Sequence, residues 1–135
     1  KVTEEIQALE QPGNGIIVKG FVSEEELARL YSACRIVVVP LRYGAGVKGK
    51  VVEAIYNGAP IVTTTIGAEG IPEAETVMEI ADEPEAFADQ VTALYEDLDR
   101  CKAMCRKTQD YIKKNFSIDA AWEIVGEDFQ TAVKD

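Results

Sequence analysis

Short apolar runs alternate along the chain with longer segments that carry apolar residues every three or four positions. The runs at residues 16–18, 36–39, 60–64 and 77–80 have the length of strands. The run at 36–39 is continuously apolar, which is typical of a parallel strand covered on both faces. Alternation of strands with helices predicts an α/β fold with a Rossmann-like, doubly wound parallel sheet flanked by helices.

Apolar positions at helical spacing predict the helices. The predicted helices lie at residues 2–10, 23–34, 50–57, from 84 onward, 98–114 and from 117 onward. Ser23 with Glu26 forms a capping box at the start of the second helix. Gly58 suits the left-handed position just past the end of the third, and Pro84 suits the first turn of the fourth.

The chain has 135 residues, of which 47% are hydrophobic, so residues 1–135 are expected to form one domain with its own core. The longest apolar run, at residues 36–41, falls far short of the ~20 residues that span a bilayer. No charged-then-apolar segment of secretory type opens the sequence. We therefore expect a cytoplasmic protein.

The formal net charge of −10 argues against nucleic acid as a partner, because phosphate backbones are bound by clustered Lys and Arg. The sequence contains no histidine, so it supplies no imidazole base and no Ser-His or Cys-His nucleophile. Cys34, Cys101 and Cys105 form no CxxC pair, and no histidine completes a zinc site around them. We expect buried or idle thiols.

The segment at residues 40–50 follows a predicted strand and is rich in glycine and lysine. In open α/β sheets, ligands bind beyond the carboxyl ends of the strands. Glycines let backbone N–H groups approach an anion, and the segment leads into a helix N-terminus with its partial positive charge. The pattern fits a diphosphate site, although its glycines also suit a flexible turn. The candidate binding residues are Gly44, Gly46, Lys48 and Lys50.

Two carboxylates lie close to this segment in the sequence. Glu53, expected on the first turn of the next helix, can accept hydrogen bonds from two ribose hydroxyls, but the helix dipole also favours a carboxylate there. A second loop follows the strand at 60–64 and can place backbone amides and a carboxylate beside a sugar. Its candidate residues are Gly67, Ala68, Glu69 and Gly70, which also suit a simple turn.

Taken together, these motifs resemble the C-terminal domain of family-4 (group 1) glycosyltransferases. The resemblance covers most of residues 20–129, and its central motifs are highly specific. The matching motifs are Gly20-Phe21-Val22, Val38-Val39-Pro40-Leu41, the segment from Gly44 to Ala54, the segment from Gly58 to Thr64, and Gly67-Ala68-Glu69-Gly70-Ile71.

The resemblance implies the GT-B architecture, in which two Rossmann-like domains face a cleft and the C-terminal one holds a nucleotide-sugar donor. The full enzyme would transfer a glycosyl group from a nucleoside diphosphate sugar to a hydroxyl acceptor, without a metal ion or other cofactor. We expect the reaction to be retaining. Within the family's pattern, Glu53 matches the glutamate that grips the donor ribose. Lys48 and Lys50 match basic positions that face the phosphates, and residues 67–70 lie near the base and the sugar.

The chain departs from the family's pattern in two respects. Ala45 stands where the familiar subgroup has a second glutamate, eight residues before the ribose glutamate. The strand, helix and strand that normally open the donor domain are absent from this sequence, as is the N-terminal acceptor domain, so we expect a partial donor-binding domain that is inactive alone. In the full-length enzyme, the missing domain is the part expected to lie at the inner membrane face.

The missing strands would normally lie between the strands predicted at 16–18 and 36–39. Because exposed strand edges invite pairing, we expect either edge-mediated self-association or a rearranged four-stranded sheet.

Two other functions remain open at the level of sequence. One is a non-catalytic α/β binding or interaction module that kept the fold and lost the reaction, which the absence of histidine and the presence of Ala45 would suit. The other is a flavodoxin-like or receiver-like regulator, which is weakened because no acidic cluster follows an early strand. Convergence of Lys48, Lys50 and Glu53 on one cleft would favour the donor site over the non-catalytic module.

Overall fold

A computed structural model describes residues 2–115 of the chain. The chain divides into two compact units, Lys1–Ser32 and Ala33–Asp135. The helix predicted from residue 117 onward lies outside the described residues. Within residues 2–115, none of the helices combines the length and the apolar character that crossing a membrane requires.

The first unit contains helix α1 (Glu4–Gln7), a 3-10 turn at Pro12–Asn14 and all but the last residue of helix α2 (Glu24–Ala33). α1 is shorter than the helix predicted over residues 2–10. It begins after Thr3, whose hydroxyl accepts a hydrogen bond from the N–H of Ile6 at 3.3 Å.

The start of α2 confirms half of the predicted capping box. The hydroxyl of Ser23 accepts a hydrogen bond from the N–H of Glu26 at 3.2 Å. The carboxylate of Glu26 does not reach back to the start of the helix but pairs with Lys19 Nζ at 2.6 Å. The hydrogen bond and the positive charge of Lys19 lower the pKa of Glu26. The Glu26 carboxylate therefore binds Lys19 instead of the backbone N–H at the helix start that a complete capping box would use.

The strand predicted at residues 16–18 does not form. Ile16 makes an isolated antiparallel bridge with Gln11 across the turn, with N–O distances of 2.8 and 3.0 Å. The N–H of Val18, which a neighbouring strand would have bound, donates instead to the Glu10 carboxylate at 3.2 Å. Ile17 is 65% exposed. Local partners thus take the N–H groups of Ile16 and Val18, and the exposed Ile17 side chain does not pack as one in a buried strand would.

The second unit contains a parallel three-stranded sheet, which confirms the predicted α/β class. The strands are β1 (Val37–Val39), β2 (Ile61–Thr63) and β3 (Met78–Ile80), in the spatial order β1-β2-β3. Val62 pairs with Val38 on one side and with Glu79 on the other. Within residues 2–115, the expected four-stranded arrangement is wrong, because residues 16–18 supply no strand.

Three helices accompany this sheet close to their predicted positions. α3 (Gly49–Tyr56) connects β1 to β2, and α4 (Pro84–Glu96) and α5 (Leu98–Asn115) follow β3. Gly58, with φ of +70°, follows α3 in the left-handed conformation that the sequence predicts. Pro84 is the first residue of α4, where its missing N–H costs no helical hydrogen bond.

The core of the second unit forms around β2, whose three residues are fully buried. α3 contributes a buried face, which consists of Val51, Val52, Ala54 and Ile55. On α4 and α5, Leu94, Cys101 and Met104 form a cluster with Val62. The Cys101 thiol donates to the carbonyl of Leu94 at 3.0 Å, so this cysteine is buried as expected, whereas Cys34 is exposed.

Replacing Leu94 with alanine is expected to lower the free energy of unfolding by about 2–5 kcal/mol, because its fully buried side chain would leave a cavity beside Val62. Leu98→Ala makes the same change at a side chain that is 49% exposed, and should cost about 1 kcal/mol or less. Urea denaturation followed by circular dichroism measures both variants. Equal losses would contradict this placement of the core.

Candidate functional site

The parallel sheet brings three loops to one edge. β1 runs into residues 40–48, β2 into residues 64–73 and β3 into residues 81–83. Because the strands are parallel, all three loops leave the carboxyl edge of the sheet, where open α/β folds bind ligands. Residues 40–48, here called the first loop, and residues 64–73, the second loop, contain most of the candidate residues from the sequence.

Hydroxyl groups of β2 and the second loop tie the two loops together. The Thr63 hydroxyl donates to the carbonyl of Val39 at 2.8 Å, and the Thr64 hydroxyl donates to the carbonyl of Leu41 at 2.6 Å. The Thr64 oxygen also accepts a hydrogen bond from the N–H of Gly67 at 3.1 Å. These hydrogen bonds connect the end of β2 to the end of β1 and fix the separation of the two loops.

The first two candidate residues of the second loop are buried. A Cβ at Gly67 would lie 1.9 Å from Thr63 Oγ1, so only glycine fits there. Ala68 is 9% exposed, and its N–H donates to the carbonyl of Thr64 at 3.0 Å. Gly67 and Ala68 therefore shape the loop from within, whereas Glu69 and Gly70 lie on its exposed part.

Lys48 folds back across the first loop and reaches the second. Its Nζ donates to the carbonyl of Gly46 at 2.5 Å and lies 3.8 Å from Glu69 Oε2. Only 15% of the Lys48 side chain is exposed, compared with 50% of the Glu69 side chain. A Cβ at Gly44 would approach Lys48 Cε to 3.0 Å. The glycine at this position therefore makes room for the stem of the lysine.

A second contact between the loops involves Gly70 and Val47. A Cβ at Gly70 would lie 2.5 Å from Val47 Cγ2, and Gly70 has a φ of +78°. Both the close approach and the backbone conformation therefore require glycine at this position. Gly46 also has a φ of +78°, but a Cβ there would meet no atom within 4 Å. The space beside the backbone of Gly46 is thus empty, whereas Val47 fills the space beside Gly70.

Lys50 and Glu53 are exposed residues of α3. They are three positions apart, so helix geometry places them on neighbouring parts of one face. α3 begins at Gly49, which makes Glu53 its fifth residue rather than a first-turn residue. The helix dipole acts mainly within the first turn, so it does not account for this carboxylate. Among residues 2–115, neither the Lys50 ammonium nor the Glu53 carboxylate has a recorded hydrogen bond or ion pair.

The structure thus brings Gly44, Gly46 and Lys48 together with the exposed part of the second loop. It records no contact of Lys50 or Glu53 with that group, and their convergence with Lys48 on one cleft stays a prediction.

Sequence analysis missed a small cleft beside these loops. The cleft has a volume of about 210 Å³, and its polar lining includes Arg42, Thr64 and Asp82. Thr65 orients Asp82 by donating its N–H to Oδ1 at 2.8 Å and its hydroxyl to Oδ2 at 2.6 Å. These two hydrogen bonds lower the pKa of Asp82 and keep the carboxylate ionised.

Neither Arg42 nor Asp82 was among the candidate residues predicted from the sequence. Position beyond a strand end was the available signal, since Arg42 follows β1 and Asp82 follows β3.

A larger cavity, with a volume of about 460 Å³, lies away from the candidate residues. It is lined by residues that precede β3, including Glu73 and Val77, and by the last turns of α5, including Tyr111. None of the predicted site residues lines it, and it faces the amino end of β3. Ligands of open α/β sheets bind at the other edge, so the two loops and the smaller cleft are the better candidate site.

Comparison with known proteins agrees with the fold and the motifs. The sequence matches the family model described as "Glycosyl transferases group 1" over residues 1–97. It is similar to an "Uncharacterized 44.6 kDa protein in cps region" from Klebsiella pneumoniae, with 30% identity over 106 residues. That alignment covers 77% of this chain and 27% of the relative, so the chain spans about a quarter of the relative's length. No solved structure matches the chain significantly.

The family match covers well over half of the chain, and it includes both loops and α3. It confirms the resemblance found in the sequence motifs, and the Rossmann-like parallel sheet agrees with it. This chain therefore belongs to the group 1 glycosyl transferases.

Proposed function

We propose that this chain forms the nucleotide-sugar donor site of an enzyme that transfers a glycosyl group from a nucleoside diphosphate sugar to a hydroxyl acceptor. Membership of the family supports glycosyl transfer in general. The two loops at the carboxyl edge of the sheet support a donor site in particular, because a phosphate-bearing ligand needs open backbone and positive charge at that edge.

The position of Lys48 is the observation that carries the proposal. Its Nζ lies where the two loops meet, 2.5 Å from Gly46 O and 3.8 Å from Glu69 Oε2. A chain with a net charge of −10 thus holds a cation at the ligand-binding edge of its sheet. This charge would bind the donor diphosphate. It would also stabilise the negative charge that grows on the departing nucleoside diphosphate as the glycosidic bond breaks.

The backbone of the first loop and the start of α3 complete the phosphate part of the proposed site. The space beside Gly46 is open, so an anion can approach the backbone there. Lys50, on the first turn of α3, adds a second positive charge near a helix N-terminus. Phosphates are bound well by such a combination of loop backbone, helix N-terminus and lysine.

The remaining candidate residues hold the nucleoside and the sugar in this proposal. Glu53 presents a carboxylate without a protein partner among the described residues, and it accepts hydrogen bonds from the ribose hydroxyls. Glu69 and Gly70, on the exposed part of the second loop, face the sugar side of the donor. Gly67 and Ala68 are buried, so they act by shaping the loop rather than by touching the ligand.

The full enzyme needs more than this chain contains. In the proposal an N-terminal domain binds the acceptor at the inner membrane face, and transfer proceeds without a metal ion and with retention of configuration. β1 lies at one edge of the three-stranded sheet, and Val38 on it is 46% exposed. Among residues 2–115, β1 pairs only with β2, and an open edge of this kind favours pairing with another strand, including one from a second copy of the chain.

Glu53→Ala tests the ribose contact. Loss of charge-assisted hydrogen bonds should weaken binding of UDP or GDP by roughly 10- to 100-fold, whichever nucleotide the chain prefers. Alanine is a strong helix former, so α3 should persist. Glu96→Ala, at an exposed residue of α4, is the matched control and should leave affinity unchanged. Isothermal titration calorimetry of the 135-residue chain with UDP, GDP and their sugars measures each affinity.

The same titration separates a donor site from a non-catalytic module. Nucleotide binding that survives in Glu53→Ala would remove the ribose role. If the unaltered chain binds no nucleotide at millimolar concentration, a non-catalytic module becomes the better description.

Glu69→Gln tests the competition for Lys48. The glutamate lies 3.8 Å from the Lys48 ammonium and repels an incoming diphosphate, so removing its charge should tighten binding of UDP or GDP by about two- to fivefold, as expected for a partly exposed pair. Raising the salt concentration should shrink this gain. Weaker nucleotide binding in Glu69→Gln would show that the ion pair organises the site instead of competing with the ligand.

A further inference from the structure

The small cleft beside the two loops has features of a binding site that the diphosphate proposal does not use. It lies at the carboxyl edge of the sheet, between the end of β1 and the beginning of α4. Thr64 lines it and also belongs to the second loop, where its hydroxyl is bound to Leu41 O and Gly67 N. The cleft therefore adjoins the proposed donor site through a residue whose position is fixed.

The size of the cleft selects a small group. Pockets that enclose drug-sized ligands have volumes of about 300–1,000 Å³. This cleft, with about 210 Å³, is too small for a whole nucleotide sugar and suits a single ring.

The apolar lining of the cleft is rigid. Pro40 and Pro84 have restricted backbones, and Phe87 packs against the core cluster around Val62. A ring with an apolar face can rest on this surface without reordering any side chain, which keeps the entropic cost of binding small.

The polar lining presents one fixed acceptor and one donor. Both oxygens of Asp82 accept a hydrogen bond from Thr65, and each retains capacity for another. Arg42 is exposed and, among residues 2–115, has no recorded ion pair or hydrogen bond. Its guanidinium therefore has its donors available for a ligand.

The two charges of the cleft have opposite signs, so together they give it no net preference for an anion or for a cation. A neutral ring with hydroxyl groups can use both side chains, because a hydroxyl donates to a carboxylate and accepts from a guanidinium. Its C–H face suits the proline and phenylalanine surface.

We propose that this cleft binds one sugar ring, with ring hydroxyls donating to the Asp82 carboxylate and accepting from the Arg42 guanidinium. The inference rests on the proposed function for its choice of ligand class. The ring has two possible sources, which are the glycosyl unit of the donor and the terminal residue of the acceptor. In either case, Asp82 and Arg42 set which hydroxyl configuration the enzyme accepts.

Two variants test the proposal without disturbing the fold. Arg42→Gln changes an exposed side chain that has no recorded partner among residues 2–115. Asp82→Asn preserves the shape of the side chain, and its amide can still bind Thr65. Glu85→Gln is the matched control, because it removes a charge from the exposed first turn of α4 outside the cleft lining.

The measurement is titration of the 135-residue chain with three kinds of probe, followed by calorimetry and by amide chemical shifts in NMR. The probes are UDP and GDP, the sugar nucleotides UDP-glucose, UDP-galactose and GDP-mannose, and the methyl glycosides of the same sugars. Circular dichroism confirms that each variant is folded.

If the ring belongs to the donor, both variants should weaken the preferred sugar nucleotide about tenfold and leave its nucleoside diphosphate unchanged, as loss of one or two hydrogen bonds predicts. If the ring belongs to the acceptor, sugar-nucleotide affinity should stay constant. A methyl glycoside should then shift the amides of Thr64 and Thr65 in the unaltered chain and not in the variants.

The proposal is overturned if neither variant alters binding of any sugar nucleotide or methyl glycoside, or if no sugar-bearing probe binds the unaltered chain. Failure of the donor site looks different, because UDP and GDP would then fail to bind the unaltered chain. The methyl glycosides would still decide whether the cleft binds sugar.

Discussion

The burial of β2 is the constraint on which the described site depends. Ile61, Val62 and Thr63 are fully buried, and β2 pairs with a parallel strand on each side. Burial leaves the Thr63 hydroxyl without water, so it must find a protein acceptor, and it donates to the carbonyl of Val39. Parallel pairing sends the chain out of all three strands at the same edge. The hydrogen bond of the Thr63 hydroxyl then fixes the distance between the ends of β1 and β2, so the buried core determines where both loops lie.

The glycine-rich segments at this edge had two interpretations, an anion-binding site and a simple turn, and the two are compatible. Gly67 and Gly70 are required by the protein itself, because a Cβ at either position would collide with Thr63 or Val47. Gly44 makes room for the stem of Lys48. Gly46 is different, since its surroundings are open and only its positive φ favours glycine. Close packing of the loops therefore explains most of the motif, and that packing is what brings a lysine and an open stretch of backbone to one place.

The sequence predicted those elements whose signal is local and strong. The β-branched runs gave β1 and β2, and Pro84 and Gly58 marked a helix start and a helix end. The run at 16–18 has the same composition as a strand, but strand formation depends on a partner, and nearby polar groups of Gln11 and Glu10 took its backbone hydrogen bonds. The amino-acid composition of the run does not show which groups will take its backbone hydrogen bonds.

The cleft between Arg42 and Asp82 escaped sequence analysis for a related reason, since its residues are 40 positions apart and only the sheet brings them together. The ion pair between Lys48 and Glu69 was equally hidden, although both residues were candidates.

The ion pair between Lys48 and Glu69 also bears on how the proposed site would receive a diphosphate. The ammonium of Lys48, whose side chain is 15% exposed, has Glu69 as its counter-charge, and in the proposed donor site a phosphate would replace that carboxylate. The Glu69 side chain is half exposed, so it could then move into water at little cost and, in the proposed site, would lie beside the sugar side of the donor. Such an exchange would couple diphosphate binding to the release of a carboxylate that accepts sugar hydroxyls, and one pair of charges would serve both ends of the donor.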